Sequence, residues 1–402
     1  MLSRKLRSVL FCSKNTAFCK EFKVSKRVFS SKMSVLTSGP EIWSPNTKTA
    51  DWNRAVSDAE KIVGYPTSFF SLKCLLSEEF NTVAMHLRKL MGTNHPILRT
   101  AKRLVYHGRT NMQTRGLIVL LLSKAAGHTE TCSDIDSAIA SGVTERQQTL
   151  AELTEMIYTA HLIHKGILNL SPTNIPDENM LHDLQFGNKI SILSGDYLLA
   201  NACKGLANLK NCKVVDHVSK SIADFMQAEF LGEHDKQGNP LPVKEMTLAT
   251  WEEKNCLAMG SLVANSCKST LELAGHPESW QEKGFQLGKN IALAWQVYDD
   301  LQPFVDNLRH PPGCTFDLVS LPVIFHLENQ PQKVEDIRAE IGDDISNFNF
   351  KKLYESIMED DSVEKTKDLL HQYSQAAEDL LSEFGSSPAS KAISNIINSL
   401  RK

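Results

Sequence analysis

Apolar residues recur every three to four positions along most of the chain, which is the spacing of helices that bury one face. Glycine or proline stands near many ends of these segments, where such residues commonly stop helices. The predicted helices are 51–64, 77–92, 96–107, 114–127, 146–170, 184–207, 214–231, 248–275, 278–302, 316–328, 332–341, 350–359, 362–384 and 387–400. Because the 20 glycines and 15 prolines are sparse, the pattern favours an all-α protein over alternating strands and helices.

The segment Gly284–Phe304 is predicted to be a long, mostly buried helix, with Asp299 and Asp300 side by side near its end. Two buried carboxylates repel each other and lose hydration, so a cation usually accompanies such a pair. Oxygen ligands of this kind suit Mg²⁺, whereas spacing alone leaves open a solvated Asp-Asp pair at a helix end. Pro303 stands one turn after Asp299, where a third carboxylate would lie, and it is expected to bend or end the helix.

Residues 1–33 hold nine Lys or Arg and a single acid, Glu21, and they are rich in Ser. This composition predicts a transit peptide for the mitochondrial matrix, and Arg27–Ser30 resembles a processing site with cleavage after Phe29. A linker over 34–50 and one large domain over 51–402 are expected to follow. A basic arm for nucleic acid is the alternative, but the net charge of −3 with this segment included leaves an acidic remainder and speaks against such a partner.

The nine cysteines are scattered and never form a Cys-x-x-Cys pair. This usage fits a reducing compartment and predicts neither a disulfide framework nor a zinc site. The longest apolar run, Gly116–Ala126, includes Ser123 and Lys124 and is too short for a membrane span, so it is predicted to be a core helix.

Five blocks follow one another along the chain: QQTLAELTEMIYTAHLIHKGILN, LQFGNKISILSGDYLLANAC, WEEKNCLAMGSLVANSC, AWQVYDDLQPF and FDLVSLPVIF. In this order they resemble the trans-isoprenyl diphosphate synthase family throughout the domain. The resemblance implies an all-α isoprenoid synthase fold, a single helical domain around a central apolar cavity. It also implies two DDxxD motifs that hold Mg²⁺ against an allylic diphosphate. Diphosphate departure then leaves an allylic cation for isopentenyl diphosphate to attack, with the metals as Lewis acids.

The chain departs from the family at the first Asp motif, where Lys165, Gly166 and Asn169 replace the three carboxylates. A protonated Lys cannot ligate Mg²⁺, and Gly lowers helix stability by about 1 kcal/mol relative to Ala. His161 and His164 lie three residues apart just before this motif, but without a third ligand such a pair more often has a structural or surface role than a metal site.

Five residues match the family's site, and the resemblance assigns their roles. Arg115, Lys254 and Gln296 are implied remnants of diphosphate binding, and Asp299 and Asp300 are implied remnants of a Mg²⁺ site. Other basic residues of the family pattern have no counterpart. No catalytic residue is assigned with these groups, because one carboxylate pair and two cations cannot readily organise metals and two diphosphates.

An intact scaffold with a partly lost site predicts a non-catalytic or weakly catalytic subunit of a heteromeric prenyltransferase. The family includes long-chain synthases of this kind, whose product supplies the ubiquinone side chain, and the active partner in a heterotetramer would hold Mg²⁺ and the isoprenyl diphosphates. In the family the region of Ile190–Ala202 lies by the dimer interface. One alternative is a self-sufficient enzyme that uses Asp299, Asp300 and the ammonium group of Lys165 as a phosphate binder. Another is a lipid-binding scaffold.

Overall fold

A computed structural model gives the fold of the chain. It describes residues 49–64, 95–97, 114–129, 142–170, 177–235, 238–306, 310–311, 314–328, 330–342, 345 and 348–401. The predicted transit peptide, nearly all of the predicted linker, the predicted helix 77–92 and most of the predicted helix 96–107 lie outside these residues.

The described part of the chain is almost entirely helical, as the apolar spacing predicts. Its α-helices are α1 Thr49–Val63, α2 Thr114–Ala126, α3 Glu145–Lys165, α4 Glu178–Asn208, α5 Cys212–Glu229, α6 Leu248–Asn255, α7 Ser261–Leu273, α8 Glu278–Val305, α9 Leu321–Leu327, α10 Pro331–Ile341, α11 Phe350–Met358, α12 Ser362–Ser382 and α13 Pro388–Leu400. A π-helical turn, Cys256–Gly260, joins α6 to α7. Two short antiparallel strands, β1 Glu233–His234 and β2 Pro240–Leu241, pair with each other between the predicted helices 214–231 and 248–275.

Several helix ends differ from the prediction, and capping residues explain two of them. α3 stops at Lys165 rather than Leu170 because Gly166 forms its C-cap. α4 begins at Glu178, earlier than predicted, because the Asp177 side chain accepts hydrogen bonds from the first backbone N–H groups of the helix. The prediction that α8 ends at Gln302 is wrong: the helix continues through Pro303 to Val305.

The helix α8 is the centre of the fold and packs against α7 and α12 along its length. Glycines allow its close approach to α7: a Cβ atom on Gly288 would lie 2.9 Å from the Ala264 Cα atom. Leu287, Ile291 and Val297 are buried in the same apolar core as α2. Every residue of the α2 segment 114–123 is buried, which confirms the predicted core helix.

The helix α4 packs on α3 and turns other residues outward. Gly195 faces inward, since a Cβ atom there would lie within 2.1 Å of the His164 Nε2 atom of the same chain. Ile192 and Leu193, by contrast, have 44% and 56% of their surface exposed. Among the described residues, none of the helices combines the length and apolarity that a membrane crossing requires. The five cysteines in the described residues are free thiols.

Candidate functional site

Asp300 is a buried carboxylate that accepts three hydrogen bonds from the surrounding protein. Its Oδ2 atom accepts from the Trp251 indole Nε1–H at 2.9 Å and from the Leu321 backbone N–H at 3.0 Å. Its Oδ1 atom accepts from the Gln296 side-chain amide at 2.8 Å. The carboxylate therefore joins α6, α8 and the first residue of α9, and we call these four residues the carboxylate hub.

Burial raises the pKa of Asp300 to about 7, although its three hydrogen bonds oppose the shift. A metal ion at Asp300 would share the carboxylate with these donors, which take three of its roughly four acceptor positions. Protein donors therefore hold most of this carboxylate.

Asp299 is half-buried and lies on the next position of α8. Burial and the neighbouring charge of Asp300 raise its pKa well above the ordinary value, and the guanidinium of Arg115 opposes the shift. Arg115 therefore provides a positive charge within electrostatic reach of Asp299.

Arg115 is only 5% exposed, at the start of α2, and its guanidinium lies between two aromatic rings. The guanidinium carbon is 3.4 Å from the centroid of the Tyr158 ring and 5.2 Å from that of Trp295. The Gly116 backbone N–H donates to the Glu155 Oε1 atom at 2.7 Å, which holds a carboxylate beside the cation. Stacked and buried in this way, Arg115 serves the packing of α2, α3 and α8.

Glu155 is fully buried on α3. Burial raises its pKa to about 7, and the charge of Arg115 and the backbone N–H groups of Gly116 and Arg115 oppose the shift. Sequence reasoning missed this residue because a single Glu on a helix carries no signal of burial. Its burial follows from the position of α2.

Lys165 is the last residue of α3 and forms an ion pair with Glu229, the last residue of α5, at 3.0 Å. Both side chains are nearly half exposed. Lys165 stands where the resemblance of the sequence implies a metal-binding carboxylate, and Gly166 follows it as the helix cap. The end of α3 therefore carries a cation that the chain itself neutralises.

Lys254 lies close to the same ion pair. A Cβ atom on Gly232, in the loop after α5, would lie 3.8 Å from the Lys254 Nζ atom. Desolvation lowers the pKa of Lys254, while the nearby charges of Asp317 and Glu229 raise it and that of Lys165 lowers it. Asp317, in the turn before α9, shows the complementary pattern: desolvation raises its pKa, and Lys254, Lys165 and His234 are among the groups that oppose the shift. We call Lys165, Glu229, His234, Lys254 and Asp317 the charged cluster.

The histidine pair before the first motif does not converge on a common point. His161 is buried and stacks on Phe225, with 4.3 Å between ring centroids, and burial lowers its pKa to about 3. The His164 Nε2 atom lies 3.3 Å from an Asp196 oxygen. Across the described ranges, no three His, Cys, Asp or Glu side chains come together as a metal-binding group would require.

The structure divides the five predicted site residues between separate environments. Gln296 and Asp300 touch each other in the hub, and Arg115 lies near Asp299. Lys254 belongs to the charged cluster. Sequence reasoning missed four partners of these groups, namely Glu155, Glu229, Trp251 and Asp317. These described residues pair mainly with one another and do not supply the ligands of a site for several divalent metals.

The chain resembles known proteins over most of its length. Residues 100–357 match the polyprenyl synthetase family. The all trans-polyprenyl-diphosphate synthase PDSS2 of Rattus norvegicus is 43% identical over 350 residues, which are 87% of this chain and 86% of that protein. A probable mitochondrial hexaprenyl pyrophosphate synthase of Yarrowia lipolytica is 26% identical over 81% of this chain and 83% of its own.

A solved structure shows the same fold at low sequence identity. It is a polyprenyl synthase of Caulobacter crescentus CB15 complexed with calcium and isoprenyl diphosphate, with a TM-score of 0.59 and 18% identity over 86% of this chain and 98% of that one. The predicted isoprenoid synthase fold is thereby confirmed. The sequence blocks also predict likeness to subunit 2 of decaprenyl diphosphate synthase, and the PDSS2 relative confirms that likeness. The chain belongs to the polyprenyl synthetase family.

Proposed function

We propose that this chain is a non-catalytic subunit of a heteromeric trans-polyprenyl diphosphate synthase of the decaprenyl type. An active partner subunit with both Asp motifs elongates an allylic diphosphate with isopentenyl diphosphate, and this chain stabilises that partner in a heterotetramer. The family membership supports the reaction class. The state of the site supports the division of labour.

The observation that carries the proposal is that neither side of the site offers a complete set of metal ligands. At the end of α3, Lys165 replaces a carboxylate and pairs with Glu229. On α8, Asp300 accepts hydrogen bonds from Trp251, Gln296 and Leu321, and Pro303 stands where a third carboxylate would lie. A reaction that needs divalent ions to stabilise departing diphosphate has no complete ligand set here.

Divalent metal is therefore assigned to the partner. The Caulobacter relative is complexed with calcium and isoprenyl diphosphate, which supports divalent cations in this family. Mg²⁺ is the ion we expect in the complex, since it binds through one or two carboxylates and substrate phosphate.

The outward face of α4 is the proposed contact with the partner. Ile192 and Leu193 leave about half of their surface in solvent, although they lie in the middle of a long helix. Exposed apolar neighbours of this kind favour burial against another chain.

The mitochondrial matrix is the proposed location, and the ubiquinone side chain is the proposed product. The basic, Ser-rich segment 1–33 supports a mitochondrial leader. The Yarrowia lipolytica relative is named as a mitochondrial hexaprenyl pyrophosphate synthase, which supports the same compartment.

Prenyl transfer by separated and combined chains tests the proposal. The purified chain should not elongate farnesyl or geranylgeranyl diphosphate, whereas the chain co-expressed with a subunit bearing both Asp motifs should yield long-chain product. The control is the partner alone, to show how much activity depends on this chain. Sustained turnover by the homogeneous, isolated chain would refute the proposal and favour the self-sufficient enzyme.

A further inference from the structure

The charged cluster pairs one of its two lysines directly with a carboxylate. Glu229 lies 3.0 Å from Lys165. Lys254 lies beside the loop that follows α5, since a Cβ atom on Gly232 would lie 3.8 Å from its Nζ atom, and the charges of Asp317 and Glu229 raise its pKa. An anionic ligand that approaches Lys165 therefore meets a carboxylate of the chain itself.

Near the end of α8, a protein side chain also supplies the positive charge. Arg115 supplies a fixed positive charge near Asp299 and beside Glu155. Its stacking between Tyr158 and Trp295 holds that charge in place. A guanidinium keeps its positive charge at every ordinary pH and cannot be removed by chelation.

We propose that protein cations replace metal ions at this site and that Glu229 occupies Lys165 as a built-in competitor of an anionic ligand. A phosphate or diphosphate group binds there without metal, and only by displacing this carboxylate. The inference deepens the proposed function and rests on it, because it concerns the site that the subunit no longer uses for metal chemistry.

The exposure of the cluster makes the competition measurable. Glu229 is 46% exposed and joined to Lys165 by one ion pair, and such pairs are weak in water. A multiply charged anion can therefore displace it. Removing the charge of Glu229 should strengthen anion binding, whereas removing a carboxylate from a metal-bridged site should weaken binding.

Titration calorimetry with inorganic diphosphate tests this difference. The full chain, freed of metal with a chelator that is then removed, is compared with Glu229→Gln in the absence and presence of Mg²⁺. We expect Glu229→Gln to bind diphosphate about three- to tenfold more tightly than the wild type without metal. Mg²⁺ should change the affinity of either chain less than about threefold, after allowance for binding of Mg²⁺ to diphosphate in solution.

A matched control is available on the far side of the fold. Glu383 is 45% exposed and pairs with Lys283, so Glu383→Gln makes the same charge change on a similar ion pair. It should leave diphosphate affinity within about twofold of the wild type. Thermal denaturation of all three chains shows whether they are equally folded.

Three results would overturn the inference. They are an affinity that rises more than tenfold with Mg²⁺, weaker binding by Glu229→Gln, and binding by Glu229→Gln that equals that of the control. A second measurement uses the complex: Asp299→Asn should leave the number of bound Mn²⁺ ions unchanged, and a lower number would also refute it. Neither readout depends on turnover, so prenyl transfer by the isolated chain would refute the proposed function and leave this inference to the binding data.

Discussion

The ends of α3 and α8, where the family resemblance implies two metal sites, differ in the residues and contacts that they present. At the end of α3 the ligands themselves are gone, and the replacement, Lys165, lies in a half-exposed ion pair with Glu229. At the end of α8 the carboxylates remain, but Asp300 is buried and accepts three hydrogen bonds from protein donors. The end of α3 therefore carries a different chemical group, whereas the end of α8 keeps its carboxylates and binds one of them through protein donors.

A residue of the second Asp motif can thus have a structural role. Asp300 connects three helices in the interior, where an acceptor satisfies donors that would otherwise be costly to bury. Lys165 and Glu229 are nearly half exposed, and a solvent-exposed ion pair contributes little to stability. Retention of Asp300 therefore has an explanation in folding that does not depend on catalysis.

The largest expected effect is a difference in the free energy of unfolding between substitutions at these two helix ends. Asp300→Ala should lower the free energy of unfolding by about 3 kcal/mol, because the Trp251 indole and the Leu321 N–H lose their acceptor and each buried, unsatisfied donor costs about 1–3 kcal/mol. Lys165→Ala should change it by less than about 1 kcal/mol. Urea denaturation of both variants provides the measurement, and equal losses would contradict the assignment of the hub.

The second prediction concerns the outward face of α4. Ile192→Asp should weaken binding to the partner by at least about tenfold, since a buried aliphatic side chain contributes about 1.5–3 kcal/mol and each 1.4 kcal/mol is a factor of ten. The control is Met358→Asp on α11, where the native side chain is 46% exposed against 44% for Ile192. Co-purification at graded partner concentrations measures the loss. Equal behaviour of the two variants would remove α4 from the interface.

Two further substitutions on α4 distinguish a residue packed inside the chain from an exposed one. Gly195 packs against His164 inside the chain, whereas Ala200 is exposed. Gly195→Leu should therefore lower the stability of the chain itself, by about 1–3 kcal/mol from overpacking. Ala200→Leu should leave that stability unchanged. Thermal denaturation of the isolated variants distinguishes the two effects.

Another effect is expected in the pH dependence of stability. The pKa of Glu155 is about 7 in the folded chain against an ordinary value of 4.5, so the folded state holds this proton more tightly than the unfolded state. Its contribution to stability is complete below pH 4.5 and is lost as pH rises toward 7. Glu155→Gln should remove a decline of up to about 3 kcal/mol across that window. Denaturant unfolding between pH 4.5 and 8 measures it, and parallel curves for both chains would contradict the shift.

The sequence predicts most of the fold because helices depend on local signals. Apolar spacing locates α8, and the Asp177 cap of α4 is a signal that could have been found, since Asp before a helical run is a common N-cap. The hub could not be predicted in the same way. Trp251 and Leu321 lie 49 and 21 residues from Asp300, and only the packing of α6 and α9 on α8 brings them to it.

The missing charged partners have the same explanation. Glu229 is an ordinary Glu at a helix end, and its meaning comes from the position of α3 beside α5. Loss of the first Asp motif is visible in the sequence itself. The charged partners of Lys165 and Lys254, by contrast, are visible only in the structure.

We propose that this subunit performs no metal-dependent chemistry. The measurement that tests this is turnover of the complex in which this chain carries Asp299→Asn and Asp300→Asn. Asn keeps the size of the side chain and one acceptor oxygen for the hub, so assembly can be retained and must be verified by co-purification. We expect a loss of less than about tenfold, or about 1.4 kcal/mol of transition-state stabilisation, while the equivalent change in the partner should nearly abolish product. Near-complete inactivation from this chain's double substitution, with the complex intact, would contradict the claim and place a working site in this subunit.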